Sequence, residues 1–298
     1  MKKVNITKNT KLLLLGAATL LFSTTQAQAQ TQNNGCTNSG TFASAIGEST
    51  NATGSYSFSS GRITTASGYT STALGYNSLA SGSYSTGIGV NNVVRGSRSI
   101  AIGFVAETGI SNSAGIAIGV NVLCNANRSF ILGTGYLEKG GGAPVTLVNN
   151  FEHSLMIGFR SNLPSLFVGP SAGPGTTGRV AIGTTNTPTT IGGQNISAYR
   201  LFVKGGILAD EVRVRTGWAD YVFADEYKLP TLAEVGAFID ENGHLPNVPS
   251  AAQVEEEGIE IGEITRIQQE KIEELTLYLI EIQKELELMK IRLDEQEK

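Results

Sequence analysis

Over residues 40–135 the apolar side chains are few and come at fixed intervals, and glycine sets the interval. Gly47, Gly54, Gly61, Gly68, Gly75, Gly82, Gly89, Gly96 and Gly103 follow one another seven residues apart without a break. The residue before glycine is apolar at Ile46, Leu74, Ile88 and Ile102 and polar at Ser67, Ser81 and Arg95. Ser60 is the one departure, so the full repeat is fourteen residues in two unequal halves. Three after each glycine stand Ser57, Thr64, Ser71, Ser78, Ser85, Asn92 and Ser99, and five after stand Ser59, Ala66, Ala73, Ala80, Gly87, Val94 and Ala101. The Ala-apolar-Gly ending returns at Ala117-Ile118-Gly119 and, with irregular spacing, at Ile131-Leu132-Gly133, Met156-Ile157-Gly158 and Ala181-Ile182-Gly183.

A period of seven also belongs to coiled coils, but each glycine in a helix costs about 1 kcal/mol and Ser, Thr and Val add to the penalty. Helix is excluded for this stretch. Glycine at a fixed interval suits a chain that must turn at the same point on every coil with a positive φ, and the nine are read as repeat turn glycines. Between turns, Ser99-Ile100-Ala101-Ile102 alternates in face as a short strand does. The pattern predicts that Ile100 and Ile102 form a roll core with Ile46, Leu74, Ile88, Ile118 and Leu132, while Ala101 and its equivalents point the other way. One coil has too little apolar volume to close its own core, and stacking hides only part of it. The remaining apolar stripe is a binding surface, which association of identical chains would cover.

Past Gly133 the rhythm loosens into turns at Gly140-Gly141-Gly142-Ala143-Pro144 and Gly173-Pro174-Gly175. Strands are expected at residues 199–203 and 211–215, where Val212 and Val214 alternate with charges. Residues 231–242 carry Leu232, Val235, Phe238 and Ile239 at helical spacing, with Thr231 as N-cap and Gly243 as stop. A second short helix begins near Ser250, with Glu255, Glu256 and Glu257 on its solvent side. From Ile272 the apolar residues step by three and four through Leu275, Leu279, Ile282, Leu286, Met289 and Leu293, which is a coiled-coil seam. The competing reading is a single amphipathic helix packed on its own domain.

Composition sharpens this picture. With 36 glycines and only 7% aromatic residues, the chain favours a thin repetitive β-structure over an enzyme built round one large core. The net charge of -4 hides a division: residues 30–217 hold eleven Lys and Arg against six Asp and Glu, and residues 218–298 hold seven against twenty. Two modules are implied, and nucleic acid is not an expected partner, because the basic residues are scattered and the tail is acidic. At the N-terminus, Lys2, Lys3, Lys8 and Lys11 precede an apolar run at residues 12–22 and an Ala27-Gln28-Ala29 tripeptide, the layout of a secretory signal peptide cleaved after Ala27 or Ala29. That run is too short to span a bilayer as a helix, which needs roughly 20 residues. Cys36 does not directly follow it, which argues against an acylated anchor. In an exported chain Cys36 and Cys124 could pair or stay free.

Ala45-Ile46-Gly47, Ala73-Leu74-Gly75, Ser99-Ile100-Ala101-Ile102-Gly103 and Gly115-Ile116-Ala117-Ile118-Gly119 resemble the head repeats of YadA-like trimeric adhesins. The resemblance implies a left-handed parallel β-roll and three rolls packed side by side. That family usually ends in a membrane β-barrel, and no run of alternating strands with aromatic girdles follows Gly183. Residues 179–184, 201–205 and 218–223, with Tyr227-Lys228-Leu229-Pro230, Gly243-His244-Leu245-Pro246 and Pro249-Ser250, resemble the C-terminal part of phage-tail-fibre-like exported proteins of Bacteroidetes. This implies a module that folds and registers a trimer. Some such modules cleave themselves with a Ser and Lys pair, and no version of that motif is present.

The expected fold is therefore mainly β: a parallel β-roll or solenoid of 14-residue repeats, trimeric, followed by a small α+β module and a C-terminal α-helical coiled coil. The domains are a signal peptide at 1–29, head repeats at 30–135, an irregular β connector at 136–217, a registering module at 218–260 and a stalk at 261–298. His153 and His244 lack the spacing of a metal site, no glycine precedes a phosphate-loop lysine, and no serine lies in a nucleophile elbow. No catalytic, metal or cofactor-binding residue is assigned. The expected protein is an exported, adhesin-like homotrimer, secreted or at the cell surface, with no membrane-spanning segment after signal cleavage and a protein or glycan as surface ligand. Its rivals are a phage-tail-fibre-like receptor-binding protein and a secreted β-helical glycan-degrading enzyme.

Overall fold

The computed structural model describes residues 34–109, 113–136 and 143–296. The expected signal peptide and the glycines at 140–142 lie outside the described residues. The chain divides into two compact units, one holding the residues up to Asn186 with Arg200–Lys204, the other holding Thr187–Tyr199 with Gly205–Lys298.

The first unit is mainly a parallel β-solenoid of about seven coils of roughly fourteen residues. Each early coil supplies a five-residue strand and a two-residue strand: Ser44–Glu48 and Asn51–Ala52, Phe58–Arg62 and Thr65–Ala66, Thr72–Tyr76 and Leu79–Ala80, Thr86–Val90 and Val93–Val94. Later the two halves run together in Ile100–Thr108 and Ile116–Cys124, and Phe130–Thr134 follows. The register is one repeat, with Gly47 paired to Gly61, Gly61 to Gly75, Gly75 to Gly89 and Gly89 to Gly103. Coils with extra residues keep it, so Ile102 still meets Ile118 and Leu132 meets Ile157. The roll runs on to Leu155–Phe159, beyond the point where the sequence rhythm loosens. There the pairing changes sense: Leu155–Phe159 is antiparallel to Leu166–Val168, which is antiparallel to Val180–Ile182. This hairpin-like layer covers a parallel edge that would otherwise be a template for another chain.

Gly54, Gly68 and Gly82 open turns whose carbonyls accept from Ser57, Ser71 and Ser85 N at 3.2–3.3 Å, and Gly47, Gly61, Gly75, Gly89 and Gly103 have positive φ, but the left-handed corner itself is made by another residue. Left-handed backbone lies two residues after each one, at Phe42, Ser49, Tyr56, Ile63, Thr70, Asn77, Tyr84, Asn91, Arg98 and Val105, all with φ between 50° and 60°. A residue with a Cβ pays roughly 1–2 kcal/mol for that conformation. Backbone bonds to the preceding coil offset it, as where Tyr56 N donates to Thr41 O at 2.8 Å and Ile63 N to Glu48 O at 2.9 Å. Of the nine series glycines, Gly54, Gly68, Gly82 and Gly96 do not have positive φ. What the two alternating series share is crowding. A Cβ on Gly75 would lie 2.0 Å from the Gly89 carbonyl oxygen, and one on Gly54 would lie 2.0 Å from that of Gly68. Neighbouring coils meet backbone to backbone there, and only glycine leaves room.

The interior is also the reverse of the expected one. Ala45, Ala73, Ala101 and Ala117, with Ala52, Ala66 and Ala80 across the coil, are buried. Ile46, Leu74, Ile100, Ile118 and Leu132 are half-buried, and Ile88 and Ile102 are 37% and 36% exposed. The assignment of Ile46, Leu74, Ile88, Ile100, Ile102, Ile118 and Leu132 to the roll core is thus corrected: they face out of the coil. A fourteen-residue coil is too narrow for more than alanine-sized side chains. Where one wall enlarges to Val94 the other shrinks to Gly87, on which a Cβ would lie 3.2 Å from Val94 Cγ2. Only the last coils admit Ile131, Leu147 and Met156. The residues three after each glycine, Ser57 to Ser99, are buried as well. Several of their side chains serve backbone carbonyls: Ser71 Oγ donates to Gly68 O at 2.7 Å, Ser78 Oγ to Gly89 O at 3.1 Å and Asn92 Nδ2 to Ile88 O at 2.6 Å, whereas Thr64 Oγ1 meets Ser59 Oγ at 2.8 Å.

The second unit contains a 3-10 turn at Asp220–Phe223 and helices α1 (Leu232–Asn242), α2 (Ala251–Glu257) and α3 (Ile261–Gln296). α1 begins in a capping box of Thr231 and Glu234 and ends at Gly243, whose φ of 72° and N–H bond to Ile239 O close the last turn. α2 begins in a second box, Ser250 with Gln253, and Glu255, Glu256 and Glu257 are exposed. The strand expected at residues 211–215 does not form. Alternation of Val212 and Val214 with charges chooses faces but supplies no hydrogen-bonding neighbour, and none of the described residues is one.

Candidate functional site

Two columns of side chains occupy the outward face of the longer strands. In register, one reads Ile46, Ser60, Leu74, Ile88, Ile102, Ile118, Leu132 and Ile157; the other reads Ser44, Phe58, Thr72, Thr86, Ile100, Ile116, Phe130 and Leu155. From Ile100 onward both are apolar throughout. Side chains too large for the interior thus make a continuous stripe outside it, a kind of surface that marks association.

Two further rows follow the coil corners. Phe42 and Tyr56 stack at 5.3 Å, and Tyr69 meets Tyr56 and Tyr84 edge-on at 5.6 and 5.4 Å. These rings are exposed yet brace one another from coil to coil. On the other row Glu48 pairs with Arg62 at 3.1 Å, and Arg62 lies over the Tyr76 ring at 5.7 Å. At more than half exposure, that ion pair contributes little.

α3 has two working faces. One packs on its own unit: Tyr221 donates to Glu270, Tyr227 to Glu274, and Tyr278 to the Pro230 carbonyl. Lys271 bridges Glu270 at 3.0 Å and Glu274 at 2.9 Å, and Ile267 is buried with them. Burial and the Glu274 carboxylate push the Tyr227 phenol well above its ordinary value. The other face holds Ile272, Leu275, Leu279, Ile282, Leu286, Met289 and Leu293, every one exposed. One face of the helix thus packs on its own unit, and the apolar row expected to form a seam is exposed in the single chain, with Leu275 at the border between the two. A cavity of about 280 Å³ lies beside the packed face, lined by Tyr227, Leu232, Val235, Leu245, Lys271 and Tyr278.

Burial works to raise the pKa of Glu270, but hydrogen bonds from Tyr221, Lys271 and Asn247 outweigh it and hold the carboxyl below its ordinary value. A depressed folded-state pKa stabilises above the unfolded value, and that stabilisation is lost as pH falls through the folded one. The helical unit is expected to melt at falling temperature as pH drops below about 4. Glu270→Gln should melt lower near neutrality and show a shallower acid dependence, both readable from the helical circular-dichroism signal.

The remaining candidates for chemistry are placed apart. His153 sits at a left-handed corner, and His244 Nδ1 lies 3.0 Å from the Leu245 carbonyl oxygen, which accepts from it in the Nδ1–H tautomer, while the ring meets Phe238 edge-on. Cys36 and Cys124 do not pair with each other: Cys36 Sγ lies 3.0 Å from Thr50 Oγ1, and Cys124 Sγ lies 2.9 Å from Ser129 Oγ. Burial pushes the Cys124 thiol up in pKa, which suits an inert interior residue. Among the described residues no group of three or more His, Cys, Asp or Glu is placed to hold a metal ion.

Residues 39–62, 59–78, 66–86 and 80–106 match the YadA head domain repeat family, so residues 39–106 are a run of YadA-like head repeats. No curated protein and no solved structure matches the chain.

Proposed function

We propose that the chain is an exported, trimeric, adhesin-like surface fibre: a β-roll head, a registering module and a coiled-coil stalk. The observation that carries this reading is that one copy leaves two repetitive apolar faces open, the outward columns of the roll and the α3 seam. Both are periodic along their elements, as faces covered by copies of the same chain are. The number three rests on the head-repeat family. Export rests on the Lys-rich, short apolar leader, and among the described residues no helix is long and apolar enough to cross a membrane. Adhesion would use many weak contacts on three chains, giving avidity without a deep pocket. The exposed corner rows, rather than the buried Ser and Thr of the repeats, are the surface on offer to a protein or glycan.

Light scattering of residues 30–298 tests the assembly, next to a Leu279→Lys, Leu286→Lys variant. These seam positions are exposed in one chain, so the variant keeps the packed face of α3 with Glu274 and Tyr278. The wild type is expected at the mass of three chains, and the variant at a lower or mixed mass with unchanged helical signal near the N-terminal end of α3. A monomeric wild type would refute the fibre.

A further inference from the structure

Residues 206–217 form no helix or strand, make no backbone–backbone hydrogen bond among the described residues and are exposed throughout. A polar linker could remain so in water, but linkers are rich in Gly, Ser or Pro. Here Ile207 and Leu208 are 71% and 102% exposed, and Val212 and Val214 are 67% and 47% exposed. β-branched residues alternating with charges make up a strand, not a spacer. In an extended chain Leu208, Val212 and Val214 share one face, and Glu211, Arg213 and Arg215 share the other. The C-terminal end of the segment is held close to α3: a Cβ on Gly262 would lie 3.0 Å from Val214 Cγ1 and 3.3 Å from Thr216 Cβ.

We infer that residues 207–215 become a β-strand only in the assembled fibre, pairing backbone to backbone with the same segment of neighbouring copies. This rests on the proposal that the chain self-associates. A row of unpaired N–H and C=O groups is a template for strand addition. The segment lies in sequence between the roll stripe and the α3 seam, so association at both would bring its copies together at high effective concentration. Its charges fit a copy of itself. Glu211 and Arg213 carry opposite signs on one face and lie 3.7 Å apart within the chain, so a staggered neighbour can place Glu211 of one copy beside Arg213 or Arg215 of the next. A row of one sign would repel its own copy.

Hydrogen exchange read by mass spectrometry on residues 30–298, with the mass measured in parallel, tests this. In the associated wild type, amides at 207–215 are expected to exchange on the order of a hundredfold more slowly than in an unstructured peptide of the same sequence. Val212→Pro, at a largely exposed position of the second unit, should abolish that protection while both units stay folded. An associated protein with an unprotected segment would overturn the inference and leave the fibre standing. A monomer would overturn both. Protection that persists in a dissociated variant would overturn the inference too, since pairing would then lie within one chain.

Discussion

Gly75→Ala is expected to destroy the folded roll, whereas Gly173→Ala leaves it intact. Gly75 combines two constraints: its φ is 114°, and a Cβ would lie 2.0 Å from the carbonyl oxygen and 2.9 Å from the carbonyl carbon of Gly89. The obstructing atoms are backbone, so no side chain can rotate away. Relief would require the coils to part, and that breaks the ladder around it, including Asn77 N to Arg62 O and Asn91 N to Tyr76 O, both at 2.9 Å. The cost should exceed about 4 kcal/mol, a large share of the roughly 5–15 kcal/mol that holds a domain together. Gly54→Ala separates the causes, because Gly54 meets the same crowding without a positive φ. Nothing lies within 4 Å of a Cβ on Gly173. Thermal melts of the β signal measure all three. A Gly75→Ala midpoint within a few degrees of wild type would mean that the coil spacing adapts, against the argument from backbone contact.

That glycine ladder was the most legible feature of the chain, because period and register are the same quantity in a solenoid: a glycine every fourteen residues pairs with its own repeat. The direction of the faces was not legible in the same way. Bulk apolar residues usually go inside, but the interior of so small a coil is set by width, and alanine wins there over isoleucine. The pairing of Gly87 with Val94 was the available clue, since a volume gained on one wall is lost on the other. The left-handed corners were also written faintly. Asn77, Asn91 and Asn121 favour that conformation, but Val105 adopts it too, as do Tyr56 and Ile63, which are held by bonds to the preceding coil. In α3 the seam was read from apolar spacing, and the opposite face was missed because Glu270, Lys271 and Glu274 look like a solvated surface. The phenols of Tyr221 and Tyr227, more than forty residues away in sequence, and the Asn247 amide make them interior. Residues 211–215 show the remaining limit: alternation describes a strand, and a ladder needs a neighbour.

The second large effect is expected on the outward stripe. Ile88→Asp with Ile102→Asp should leave the single coil folded, since both side chains are more than a third exposed there. The two carboxylates are register partners and repel, which costs the single coil about 1 kcal/mol. In the proposed fibre the same positions are covered in every copy. Burying an isoleucine stabilises by about 1.5–3 kcal/mol, and a carboxylate in its place must be desolvated without a partner. The double variant should therefore lose the mass of three chains while its β signal persists. Ser60 supplies the converse, as the one polar member of a column otherwise built from Ile and Leu. Ser60→Ile is expected to raise the melting temperature of the associated protein and to do nothing for the dissociated double variant. Equal effects of these changes on both forms would mean that the stripe is solvent-exposed in the fibre, and that some other surface holds the heads together.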